Sequence, residues 1–351
     1  MVSVCSGVAG LSNSGNNSSN NPDNNPGKDS GSDSGNSVLA VHTGALGDII
    51  LFGHLLHLLK SLRQEHCEGC RTTLIACGER DRLLSRMGIV DCSIEFDNLA
   101  MHEVFSENDL NTCTLTDSIG HHERLVSCFA TGNMRAELRL AALCGVADAA
   151  FLPIRPAAEH HGHILDLWLD MLGLDASAGD AAEPWCLHES DKGCAEKILR
   201  AAGIGASQRY VVLHPGSGGS EKCWSPERFK RLADGIGDEE GLTPVFVVGP
   251  VESDRWGYER IRELTGAHAL VLCPSLVELT DILCGAEAYV GNDSGVSHLA
   301  GAVGIQTVVL FGASRSEHYA PVGRSVTVIE AATLAAIGVG QVLAAINYSG
   351  E

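Results

Sequence analysis

The chain reads as an α/β protein of two domains built from parallel βα units. Three observations predict this. Short β-prone apolar runs alternate with runs of helical periodicity from Val38 almost to the C-terminus. The 351 residues, less a polar N-terminal stretch, suffice for two domains of ordinary size. At three places a strand-like run passes through a polar, glycine-containing turn directly into a helix start. There the unpaired amides of a first helical turn can meet an anion.

Residues 1–37 are Ser, Asn, Gly and Asp almost throughout. They hold too few apolar groups to offset the entropy of ordering, so they are expected to form a disordered low-complexity tail. The stretch lacks the basic start and apolar run of a secretory signal. Residues 38–174 are expected to form the first domain. Strand-like runs at Val38 to His42, Thr72 to Ala76, Ser93 to Phe96, Leu125 to Phe129 and Ala150 to Ile154 alternate with helix-like runs at Ile49 to Arg63, Asp81 to Met87 and Met134 to Leu143. An amphipathic helix from His163 to Leu174 closes this half. Residues 175–184, rich in Ala, Gly and Asp, read as a linker. Residues 185–351 form the second domain, with strands expected at Tyr210 to Leu213, Pro244 to Val248, His268 to Leu272, Ala288 to Val290 and Thr307 to Leu310.

The three turns carry the chemistry. Gly291 to Ala300 joins a strand to a helix; Asp293 or Ser294 can cap that helix, Gly295 permits close approach to the backbone, and His298 falls near the same rim. From spacing alone this is either an anion site or an ordinary capped helix. His214 to Ser220 is a glycine loop before a second helix start, where Ser225 precedes Pro226 at the first helical position. Lys222 on that loop can offset a phosphate charge or remain a solvated lysine. Thr43 to Asp48 is the third turn; its glycines, Gly44 and Gly47 with Gly53 beyond, miss the Gly-x-Gly-x-x-Gly dinucleotide fingerprint, which disfavours a nicotinamide enzyme. Asp48 at a helix N-terminus suits a cap or a base.

Composition narrows the partners. The formal net charge is −20 and the pI about 5.1, so the surface field repels nucleic acid and anionic lipid, leaving at most peripheral membrane contact. Thirteen cysteines, odd in number and largely within apolar runs such as those around Cys128, Cys144, Cys273 and Cys284, read as reduced, buried thiols of a cytoplasmic protein. Cys67 and Cys70 beside His66 make half a zinc site without a second pair, and His160, His161 and His163 fit a helix-start or interdomain face better than a metal site. Trp224, next to a helix start, is expected to pack into the core.

Taken together, Gly47-Asp48, His214 to Gly218 with Lys222, Trp224, Pro226 and Phe229, Val248-Gly249-Pro250 with Glu252, and Gly291 to Ala300 continuing into Thr307 to Gly312 resemble the heptosyltransferases of glycosyltransferase family 9. The resemblance spans roughly residues 38 to 347. It implies a GT-B fold: two doubly wound, Rossmann-like domains facing a cleft, the nucleotide sugar held mainly by the second and the acceptor by the first. It further implies an inverting, metal-independent enzyme without cofactor. Such an enzyme moves a heptose or related sugar from an ADP-sugar donor to a glycan acceptor in lipopolysaccharide core or related synthesis, as a monomer in the cytoplasm or at the inner face of the membrane. Carried over residue by residue, Asp48 is the base and Lys222 faces the leaving diphosphate. Ser217, Gly218, Gly249, Glu252, Asn292, Asp293, Ser294, Gly295 and His298 bind the donor. Two other readings of the same scaffold are a catalytically silent nucleotide-sugar binder and a nucleotide-sugar epimerase. The chain departs from the family at Phe52-Gly53-His54, where a proline is frequent, and at Ala313 to Ser316, where Pro-Thr-Asp-Pro is usual. The second loop is expected to decide the identity of the sugar.

Overall fold

The computed structural model describes residues 37–64, 71–238, 241–312 and 314–346. The N-terminal tail up to residue 36, the His66, Cys67 and Cys70 group, and Ala313 lie outside the described residues.

The first half runs β1 (Ser37–Val41), α1 (Leu46–Gln64), β2 (Arg71–Ala76), α2 (Glu79–Arg86), β3 (Cys92–Glu95), α3 (Leu115–Ile119), β4 (Arg124–Ser127), α4 (Met134–Leu143), β5 (Asp148–Phe151) and α5 (Ile164–Met171). Its strands form a parallel sheet in the order β3-β2-β1-β4-β5. β1 is the middle strand and covered on both faces, which is why it is an unbroken apolar run rather than an alternating one.

The second half runs α6 (Glu196–Ala201), β6 (Arg209–His214), α7 (Pro226–Gly237), β7 (Leu242–Val248), α8 (Pro250–Thr265), β8 (Ala269–Leu272), α9 (Leu276–Cys284), β9 (Ala288–Asn292), α10 (Gly295–Val303), β10 (Gln306–Phe311), α11 (Ser316–Tyr319), β11 (Val326–Glu330) and α12 (Val339–Ala345). Here the parallel order is β11-β10-β9-β6-β7-β8.

Each sheet has one place where consecutive connections leave in opposite directions: between β1 and β4 in the first, and between β6 and β9 in the second. Loops after those strands diverge and open a crevice at the carboxyl end of the sheet, where ligands of open α/β sheets bind. The two halves meet through α1 and α10. Glycine is required at that meeting. A Cβ on Gly295 would stand 2.6 Å from Leu46 Cβ, and one on Gly47 would stand 2.9 Å from His298 Cδ2. The N-termini of the two helices therefore abut.

The segment between the halves has no regular structure at 175–184, yet it is packed. The buried His54 donates from Nδ1 to the Ala181 carbonyl at 2.9 Å, and its ring lies 4.5 Å from that of Trp185. Trp185 in turn donates its amide to Ala302 at 2.7 Å. Gly53 completes the fit, since a Cβ there would stand 2.6 Å from the Trp185 ring. Gly53 and His54, where the chain departs from the proline of the pattern it resembles, therefore hold the crossing segment.

Several elements were not legible from the pattern. β11 is an edge strand with most of its residues outside the core, and α3, α6, α11 and α12 are too short to show a helical period. β1 starts at Ser37, within the stretch assigned to the tail. The cysteine expectation needs correction. Cys128 and Cys144 are buried, with burial raising both thiols, Cys144 to about 12. Cys273 and Cys284 are exposed. Cys273 follows β8 with φ of 47°, and Cys284 ends α9, so the chain turns each thiol outward from its apolar neighbours. Every cysteine among the described residues is free.

Candidate active site

The C-terminal crevice is built from two loops stitched together. Asn292, the last residue of β9, is fully buried; its Oδ1 accepts from the Trp224 amide at 2.9 Å and its Nδ2 donates to the Pro215 carbonyl at 2.9 Å. Ser217 donates from Oγ to the Asp293 carbonyl at 2.6 Å, and Lys222 Nζ meets Asp293 Oδ2 at 2.7 Å. Trp224 closes the back of the loop, buried edge-on against Phe229 with its indole nitrogen donating to Ile337 at 3.1 Å. Asn292, expected among the donor contacts, thus stands behind the cleft wall and fixes the two loops rather than facing the opening.

Ser294 occupies the N-cap position of α10 with extended backbone, but neither expected cap forms. Its hydroxyl lies 3.4 Å from that of Ser297, and the Asp293 carboxylate is turned to Lys222. The first-turn amides of α10 are left without a side-chain cap, facing the cavity. His298 is buried, and desolvation lowers its pKa to about 4, so it is a neutral imidazole at neutral pH.

Asp48 stands opposite. It is the third residue of α1, and its Oδ2 accepts from the Ala45 amide at 3.0 Å, so it does cap the helix. Its Oδ1 lies 3.5 Å from Arg155 Nη1. Arg155, which follows β5, also places its guanidinium 5.4 Å above the Tyr319 ring of the second half. The cavity of about 480 Å³ between the halves is lined by Asp48 and Arg155 on one side and by Ser217, Gly218, Lys222, Asp293, Ser294, Gly295 and His298 on the other.

Two further cavities adjoin it. One of about 260 Å³ is mostly apolar, walled by Val247, Pro250, Leu276, Leu279 and Val296 with Gly249 and Glu252 at its polar end. Glu252 is buried and its Oε2 accepts from the Gly249 amide at 3.2 Å; a Cβ on Gly216 would lie 2.2 Å from that carboxyl, so only glycine lets the His214 loop pass. The other, about 380 Å³, lies at the crevice of the first sheet between Thr43, the 128–132 loop and Pro153 to Arg155.

The sequence reading therefore gathered residues that the fold brings to the main cavity, apart from Gly249 and Glu252, which line the adjoining apolar one, and Asn292, which stands behind the wall. It missed Arg155, Tyr319 and His318, which also line the cleft. Only their position just past strand ends could have signalled them. The histidine group acts as a strap between the halves: His163 caps α5, accepting from Leu165 at 3.2 Å, and its Nε2 reaches the Ala320 carbonyl at 2.9 Å. No three His, Cys, Asp or Glu side chains converge as a metal-ligand group among the described residues. No helix there is long and apolar enough to cross a membrane.

Comparison with known proteins places this geometry. Residues 174–340 match the sequence model of glycosyltransferase family 9 (heptosyltransferase). Lipopolysaccharide heptosyltransferase 3 of Escherichia coli K12 is 28% identical over 135 residues, 36% of this chain and 38% of that protein, so the aligned stretch spans well under half of the curated relative. The crystal structure of a family 9 glycosyl transferase from Veillonella parvula superposes with a TM-score of 0.70 at 19% identity, covering 88% of this chain and 95% of that one. E. coli ADP-heptose lipopolysaccharide heptosyltransferase II gives 0.65 at 16%, covering 89% and 97%. The likeness over nearly the whole of those chains establishes the GT-B fold with its two Rossmann-like halves. Residues 174–340 of this chain are thus similar to glycosyltransferase family 9 (heptosyltransferase).

Proposed function

We propose that this protein is an inverting glycosyltransferase that transfers a heptose or related sugar from an ADP-sugar to a glycan acceptor without a catalytic metal. The observation that carries the reading is the facing of Asp48 and Lys222 across one cavity that also receives the open N-terminus of α10. The names of the similar proteins point to the same donor and to lipopolysaccharide synthesis.

In this reading the nucleoside lies in the apolar cavity beside Glu252, and the diphosphate lies over the amides of α10, where the helix dipole favours negative charge. The acceptor enters from the crevice after β1, β4 and β5. Asp48 takes the proton of its hydroxyl as that oxygen forms a bond to the anomeric carbon, and the bond from that carbon to the diphosphate breaks on the opposite face. ADP leaves carrying the electron pair. Lys222 and the α10 amides stabilise that growing charge, a role that preorganised donors fill without a metal. Arg155 holds Asp48 towards the cavity before the acceptor arrives. An enzyme at the inner membrane face would reach its acceptor by peripheral contact, as a monomer.

A donor screen tests the proposal. With a heptose- or octulosonate-bearing acceptor, nucleoside diphosphate release is expected from ADP-heptose and not from UDP- or GDP-sugars. Release from UDP-sugars alone would overturn the donor, and ADP release that does not depend on acceptor would overturn transfer.

A further inference from the structure

We propose that Arg315 is a specificity-determining residue of the cleft and that it receives an anionic substituent, a carboxylate or a phosphate, on one of the two sugars held there. The inference rests on the glycosyltransferase reading and assigns to it the residue that reads the charge of the substrate.

Three cationic side chains line the main cavity: Arg155, Lys222 and Arg315. Two already face a carboxylate, Lys222 with Asp293 at 2.7 Å and Arg155 with Asp48 at 3.5 Å. Arg315 has no carboxylate within ion-pair distance among the described residues. Its contact is with a side chain that carries no negative charge: Nη1 lies 3.3 Å from Nε2 of His318. The tautomer follows from the other nitrogen. His318 Nδ1 lies 2.9 Å from the Gly162 carbonyl, which can only accept, so Nδ1 carries the hydrogen and Nε2 offers a lone pair to the guanidinium.

His318 is itself held in place. It is buried, and the His160 ring stacks on it at 5.7 Å with 29° between planes. Arg315 is exposed at the rim of the cavity, where its contact with His318 leaves its charge intact. A guanidinium with no counter-ion suits a planar oxyanion, which it can bind with two parallel hydrogen bonds. In the proposed reading the diphosphate is served by the open α10 amides, so the anion assigned to Arg315 is one carried by a sugar. The sequence points the same way: arginine stands at the position where the family pattern has aspartate, and a reversal of charge in a substrate cleft changes which substituents are admitted.

The test compares matched substrates on the purified full-length protein. One arm pairs ADP-heptose with an ADP-linked sugar acid at fixed acceptor. The other pairs an acceptor bearing a carboxylate or phosphate with its neutral analogue at fixed donor. Wild type is expected to favour the acidic member in one arm by about tenfold in kcat/KM. Arg315→Ala should remove that preference, Arg315→Lys should keep part of it, and ADP affinity should stay within about twofold in both. The arm that responds identifies the source of the anion. A preference that survives Arg315→Ala, no preference in either arm, or a loss of ADP affinity matching the loss of preference would overturn the inference while leaving transfer intact. Wild type that neither binds ADP nor transfers would instead remove the glycosyltransferase reading, and this one with it.

Discussion

The two crevices of this molecule are built differently. At the C-terminal crevice, between β6 and β9, the loops are tied to each other by a buried asparagine, a serine and an ion pair, and their backbones leave no room for added atoms at Gly216 or Gly295. At the N-terminal crevice, between β1 and β4, the cavity is walled by the loops after β1, β4 and β5, the last two joined by Thr131 donating to the Leu152 carbonyl at 3.0 Å, while Asp48, on the adjoining main cavity, is held by one amide and one exposed arginine. A rigid crevice suits the part of a substrate that is always the same, which in the proposed reading is a nucleoside diphosphate. A looser one suits a partner that varies, and small changes in its loops alter what is accepted.

The largest expected effect tests whether the looser side carries the chemistry. Asp48→Asn keeps an oxygen to accept from Ala45 but cannot take a proton, so kcat should fall by about a thousandfold with the melting temperature nearly unchanged. Unaltered turnover would return Asp48 to a capping role. On the rigid side, Asn292→Ala strands the Trp224 amide and unties the loops, and chemical denaturation should show a loss of about 2 kcal/mol together with weaker ADP binding. Stability within experimental error of wild type would contradict the stitching.

Lys222→Ala sharpens the contrast further. Because Lys222 is already paired with Asp293, its removal should lower kcat by about ten- to a hundredfold while changing the KM for donor less. A pure KM effect would mean that the lysine binds ground state and transition state equally.

The smallest effect concerns the junction of the two sides. Burial lowers the pKa of His42 and His298 to about 4 and that of His54 to about 3, from an ordinary 6.5. Between pH 6.5 and 4 the unfolded chain binds protons that the folded chain excludes. Stability is therefore lost as the pH falls through this window. Unfolding midpoints measured from pH 7 to 5 should fall, and His54→Phe should make the slope shallower. A flat profile would place these rings in contact with water.

The same contrast explains what the sequence disclosed. The β9–α10 turn and the His214 loop were legible because a tight fit of backbone against backbone and side chain leaves few residue types possible, and glycine, asparagine and lysine stand at the constrained positions. Most strands were legible because central parallel strands are continuous apolar runs. The first crevice was legible only at Asp48. Arg155, Tyr319 and His318 act through contacts that join residues more than 150 positions apart, as Arg155 does with Tyr319, and no local pattern encodes such pairs. The exposure of Cys273 and Cys284 depended on the exit angle of an element, which apolar neighbours do not reveal.

The central claim is that the diphosphate is held by the second half while the base acts from the first. Calorimetric titration of ADP into wild type, Asp48→Asn and Lys222→Ala tests it most directly. The account predicts binding of one ADP per chain, an affinity for Asp48→Asn within about twofold of wild type, and an affinity for Lys222→Ala weakened by about tenfold. No ADP binding, or a greater loss from Asp48→Asn than from Lys222→Ala, would contradict it.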